Sequence, residues 1–320
     1  MSLHKETSND IKSKIKNILA DNENNLEYLL KYLESFRNMS DNPGEAEKLI
    51  NISNNFKARG DYATASYLLK QSLEICQRIG DETGEGIVLN NISQIYGIQG
   101  DYATALDFLK QSLVIRRRIG DKAGEGTTLN NISSLFHAQG DYVTALDYLK
   151  QSLTICQQIG DKAGEGTTLN NISQIYDAQG DYVTALDYLK QSLVIRRQIG
   201  DKAGEGTILN NISQVYKAQG DYVTALDYLK QSITIFQQIG DKAGLCETLL
   251  NIGFIHLKIN EIDEAVCAWV IVYTIASSIG NAEALKALSD LAPKLGLPPG
   301  LNGWKKLSNR INDSVSTKEL

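Results

Sequence analysis

Between Gly126 and Ala138 the apolar residues Leu129, Ile132 and Phe136 recur at spacings of three and four, which gathers them on one side of a helix. Thr127, Asn131, Ser134 and Ala138 fall nearly opposite. That stretch contains no acidic residue, lysine or arginine, and neither does Gly86 to Ile98, so the second face is polar without being charged. A solvated helix face ordinarily carries charge. The pattern then returns: Asp121–Gly160 and Asp161–Gly200 differ at only seven positions, and close copies occupy Asp81–Gly120 and Asp201–Gly240. A forty-residue period marks a repeat architecture, in which a single unit cannot bury its apolar face and must stack on its neighbours.

Glycine stands at every twentieth position from Gly60 to Gly240, and aspartate follows each one. Gly140 can take the left-handed conformation that ends a helix, and Asp141 can cap the next. Each unit therefore reads as helix A, about Lys122 to Gln139, and an antiparallel helix B, about Tyr142 to Ile159, joined by a very short turn. Of four prolines, Pro43 marks a helix start and the other three lie past the last full unit, so the helices run unbroken. The expected organisation is a worn helical cap over 1–40, six units over 41–280, capping helices over 281–312 and a disordered tail over 313–320. In the sixth unit Asn260-Glu261-Ile262 replaces Gly-Asp-Tyr and helix B turns strongly apolar. Trp304 is suited to cover the exposed end.

Leu129, Ile132, Phe136, Gly140, Tyr142, Ala145, Leu149 and Ser152 carry the spacing of the tetratricopeptide repeat. The GEG, LNNIS and GDY phrasing resembles its long-unit subclass, found in LGN and kinesin light chains and in bacterial arrays that accompany CHAT-family proteases. The resemblance covers 41–280, departs at Ser133, where the family uses glycine or alanine, and lacks the family's terminal proline. It implies an all-α, right-handed superhelical solenoid of antiparallel helix pairs whose inner wall is built from the uncharged stripes. In the resembled family an asparagine on that wall holds ligand backbone, a role that carries over to Asn51, Asn91, Asn131, Asn171, Asn211 and Asn251.

An amide offers both a donor and an acceptor, so this column, flanked by Gln94, Ser134, Gln174 and Gln214, suits an extended peptide or a helical segment of another protein. The same amides can instead satisfy one another and set repeat register, and at this level both readings stand. Asn90, Asn130, Asn170 and Asn210, one residue back, are expected at contacts between units. Specificity would come from positions where the copies disagree. These are the rim residues Lys57, His137, Asp177 and Lys217, with Gly97 and Leu257, and, near the end of helix B, Cys76, Arg116, Cys156, Arg196 and Phe236.

The net charge is −6, with no basic stripe, which argues against a nucleic-acid partner. Met1 to Asp10 carries no apolar signal stretch, and the longest apolar run, Ala265 to Ala276, is short of the roughly 20 residues a bilayer span needs. A cytoplasmic protein with reduced thiols and no membrane partner is expected. His4, His137 and His256 show no metal-ligand spacing, and Cys246 and His256 would sit about 15 Å apart along one helix. No catalysis, cofactor or metal is expected. The leading reading is an interaction scaffold. The alternatives are self-assembly through the array end around Trp269 and Trp304, and regulation of a separate effector such as a CHAT-type protease, whose catalytic domain this chain does not contain.

Overall fold

The computed structural model describes residues 43–58 and 60–316, so the amino-terminal cap expected over 1–40 lies outside the described residues, as does 317–320 of the expected tail. Six antiparallel pairs follow one another. They are α1 (Pro43–Ala58) with α2 (Tyr62–Ile79), α3 (Glu82–Ile98) with α4 (Tyr102–Ile119), and α5 (Lys122–Ala138) with α6 (Tyr142–Ile159). Then come α7 (Lys162–Ala178) with α8 (Tyr182–Gln198), α9 (Lys202–Gln219) with α10 (Tyr222–Ile239), and α11 (Lys242–Lys258) with α12 (Ile262–Ile279). The end is closed by α13 (Ala282–Leu291), a short 3-10 turn (Ala292–Leu295) and α14 (Asn302–Ser316), which continues past the 312 boundary drawn from sequence. No strand occurs among the described residues.

The Gly-Asp pairs make the turns. Gly140 takes φ 78°, the Asp141 N–H donates back to the Phe136 carbonyl at 2.9 Å, and Asp141 Oδ1 accepts the Thr144 N–H at 3.1 Å. Together these satisfy backbone groups at the end of one helix and the start of the next. In the degraded sixth unit Asn260 itself adopts φ 68°, and Glu261 makes no side-chain cap bond. Asparagine is among the few non-glycine residues that tolerate this region.

Leu129 and Ile132 are fully buried in one cluster with Ala105 and Leu109 of the preceding B helix, and Ala145 and Leu149 fill the same role beside Ile172 of the next A helix. Aromatic pairs recur in register, with Phe136 on Tyr148, Tyr176 on Tyr188 and Tyr216 on Tyr228, centroids 5.7, 5.6 and 5.5 Å apart. Ser133 is buried, but its hydroxyl donates to the Asn130 carbonyl at 2.7 Å, so the departure from a smaller residue leaves no orphaned group. Most successive A helices touch, whereas successive B helices do not come as close, so the stack curves with the A layer inside. Among the described helices only α12 is long and apolar enough to match a membrane span by length and composition. Its Trp269, Val270 and Val272 pack into the cluster that also contains Leu288 and Trp304.

Candidate functional site

The uncharged stripe faces out of helix A: Thr127, Ser134 and Ala138 are exposed and Asn131 is half-buried. Neighbouring units are stitched together along it. The Nδ2 of Asn131 donates to Asn90 Oδ1 at 3.0 Å, Asn171 to Asn130 at 3.1 Å, Asn211 to Asn170 at 2.8 Å and Asn251 to Asn210 at 3.1 Å. Asn130 is the buried node of this ladder. Its Nδ2 lies within bonding distance of the Gly126 carbonyl, Ser152 Oγ on its own B helix and Thr168 Oγ1 on the next A helix, at 3.2, 2.6 and 2.9 Å. A backbone carbonyl can only accept, so Asn130 must turn its Oδ1 toward Asn171, and Asn171 must answer with Nδ2. The Oδ1 atoms of Asn131, Asn171, Asn211 and Asn251 then have no partner among the described residues, and none is sealed from solvent.

At the amino-terminal end the ladder lacks a rung, because Ile50 stands where an asparagine would receive Asn91. Asn91 and the exposed Asn51 make no side-chain hydrogen bond among the described residues. Gln174 and Ser134 are exposed, Gln94 and Gln214 half-buried. The rim column forms a second line of contacts across units. Lys57 donates to Gln94 at 2.8 Å, and burial lowers its ammonium pKa. The equivalent pair at a later junction is Asp177 with Gln214, where Asp177 Oδ1 and Gln214 Nε2 are both buried without a partner. Burial raises the Asp177 carboxyl and lowers Lys217, each partly offset by the other's charge. The His137 ring lies 5.7 Å from Tyr142.

The variable positions near the end of helix B prove to be interior, which corrects their assignment as specificity residues. Cys76, Arg116, Cys156 and Phe236 are buried, and Arg196 is half-buried. Each packs under the first glycine of the next unit's helix A: a methyl on Gly84 or Gly164 would sit 2.8 Å from the Cys76 or Cys156 sulfur, and one on Gly244 would strike the Phe236 ring. Arg116 also pairs with Asp121, and Arg196 with Asp201 at 2.8 Å. Copies differ here because different side chains fill the same gap. The glutamate of the GEG phrase is interior too: Glu125 and Glu205 are buried yet clasped by Lys122 and Lys202 at 2.7 and 2.8 Å and by Arg117 and Arg197 at 2.7 Å each.

Trp269 and Trp304 are fully buried, edge to face at 6.3 Å, and Trp304 Nε1 donates to the Leu288 carbonyl at 2.8 Å. They seal the end and leave no tryptophan surface there, so self-assembly through this end would use other residues. The four cysteines are unbridged, and burial pushes the Cys76 thiol up to about 11, far from a reactive thiolate. His256 Nδ1 lies 2.6 Å from Glu261, its neighbour across the turn. Where the last repeat meets the cap, a cavity of about 540 Å³ opens between α9, α11 and α13, with Thr207, Glu247, Leu250, Glu283 and Ala287 among its walls.

The profile of the tetratricopeptide repeat family matches residues 44–118, 124–198 and 204–268. No curated protein matches the sequence. Among solved structures, a Rap protein complexed with competence and sporulation factor is 14% identical with a TM-score of 0.64, over 98% of this chain and 88% of that one. BtubC from P. vanneervenii is 19% identical with a TM-score of 0.53, over 74% and 94%. Aspartyl phosphate phosphatase F from Bacillus subtilis is 15% identical with a TM-score of 0.56, over 89% and 79%. At these identities the likeness is one of fold. Family profile, forty-residue period and unbroken stack of helix pairs agree, and the chain belongs to the tetratricopeptide repeat family.

Proposed function

We propose that the chain is a non-catalytic scaffold that holds an extended or helical segment of a partner protein against its A-helix face. The observation that carries this reading is the row of open Oδ1 acceptors on Asn131, Asn171, Asn211 and Asn251, fixed in orientation by the ladder behind them. The two roles weighed for these amides are compatible. Nδ2 ties one unit to the last, while Oδ1 is available to a donor such as a backbone N–H, whatever the partner's side chains. Ser134, Gln174 and Gln214 border the row, and Lys57, His137, Asp177 and Lys217 vary its rim. That a fold neighbour is seen complexed with competence and sporulation factor is consistent with such use.

Partner capture from the native host by the full chain, compared with a Ser134→Arg/Gln174→Arg variant, tests the assignment. Both positions are exposed and stand outside the ladder, so the solenoid should keep its helicity while capture drops by about tenfold or more. Unchanged capture by a folded variant would show that the partner binds elsewhere. The identity of the captured protein also decides whether the effector is a protease.

A further inference from the structure

The cavity at the carboxy-terminal end of the A layer is not a feature the repeat produces by itself. Its position 247 is Ile87, Thr127, Thr167 and Thr207 in the four preceding units, all on the uncharged stripe, and is a glutamate only at the two ends of the array, as Glu47 and Glu247. In the same unit the GEG glutamate is replaced by Leu245. The carboxylate that Lys122, Lys162 and Lys202 clasp at 2.7, 2.7 and 2.8 Å has in effect moved two residues along the helix, from the interior to the cavity. Lys242 is retained but makes no ion pair with it among the described residues.

Glu247 is held instead by Asn210 Nδ2 at 2.9 Å, the ladder node of the preceding unit. It is exposed through the cavity mouth, yet the surrounding walls, then Glu283 on α13, raise its carboxyl pKa, and Asp241 adds to this. Neither glutamate has an ion-pair partner among the described residues. The rest of the wall mixes the polar Thr207, Asp241 and Asn281 with the apolar Phe236, Leu250, Ala284 and Ala287. A wall that sets apolar side chains beside carboxylates without a cationic partner matches a long side chain with a cationic head, whose methylene stem lies on Phe236, Leu250 and the alanines while the head meets the acids. A volume of about 540 Å³ admits it without rearrangement.

We propose that this cavity receives a lysine or arginine side chain of the segment held in the groove, so that Glu247 and Glu283 set the register and direction of the bound partner. The inference rests on the groove reading and adds a residue requirement to it. The test is selection of a resin-bound random hexapeptide library by the full chain and by Glu247→Thr, which restores the residue of three other copies and should fold. The wild-type chain is expected to enrich lysine or arginine at one position, and Glu247→Thr to lose that preference while still binding peptide. For a selected lysine peptide, affinity should fall about tenfold in the variant, and replacing that lysine with norleucine should abolish the difference between the two chains.

Peptide binding with no cationic preference, or a preference that survives Glu247→Thr, overturns the inference and leaves the groove reading intact. If no peptide is selected, the groove reading fails, and the pocket is judged alone by titrating N-acetyl-lysine amide against the amide NMR signals of Ala243, Gly244, Ala284 and Ala287. Saturable shifts in the wild-type chain that vanish in Glu247→Thr support a cation site, and their absence overturns it.

Discussion

Two adjacent asparagines do different work. Asn130 meets three oxygens through Nδ2 and one amide through Oδ1, whereas Asn131 makes one bond across the unit boundary. Losing a buried multi-partner node costs about 1–3 kcal/mol, and losing one neutral, half-exposed bond about 0.5–1.5 kcal/mol. Asn130→Ala is therefore expected to lower the thermal midpoint more than Asn131→Ala. The opposite order would mean that the ladder, not the node, ties the units together. The residue types and their alternation were readable along the chain, including the expectation that the Asn130 column lies between units. Which amide atom is spent and which is free was not readable, because it depends on a carbonyl and two hydroxyls brought in from three different helices.

At the scale of the helix, the GEG phrase couples a charge to a close approach. Burial alone would raise the Glu125 carboxyl, but hydrogen bonds from Lys122 and Arg117 outweigh it and hold the pKa below the usual 4.5; Glu205 is held down in the same way by Lys202 and Arg197. A carboxylate depressed in the folded state contributes stability that is present above its ordinary value and is lost as pH falls through the folded one. The N-cap aspartates Asp141, Asp181 and Asp221, held low by the hydroxyl and N–H of the threonine three residues on, act with the same sign. Asp177 and Glu247, which are raised, act with the opposite sign. The thermal midpoint should fall between about pH 5 and pH 3, and Glu125→Gln/Glu205→Gln should flatten that fall. A slope equal to wild type would assign acid sensitivity to the caps. The sequence showed where the glutamates recur, but their burial beneath arginines from the preceding B helix follows only from stacking.

For the molecule as a whole, each unit contacts little beyond its neighbours, so damage should stay local. Trp304 is fully buried against Trp269 at the closed end. Trp304→Ala is expected to cost about 3–5 kcal/mol at that end. Hydrogen exchange should quicken in α12 to α14 and stay unchanged from α3 to α8. Uniform acceleration along the chain would show instead that the solenoid unfolds as one cooperative block.

The forty-residue period, the Gly-Asp turns and the apolar spacing were enough by themselves to specify an all-α stack of helix pairs, because each is a local rule repeated in register. Tertiary structure alone decided the use of each variable position. Cys76, Arg116, Cys156 and Phe236 resembled surface variation and turned out to be fillings beneath glycines, while Glu247 differed from the four copies before it and came to face a cavity. The reason is geometric. A helix pair fixes which face a residue occupies, but whether that face meets solvent, a neighbour or a gap depends on the next unit, and at the end of the array the next unit is a cap with a different shape.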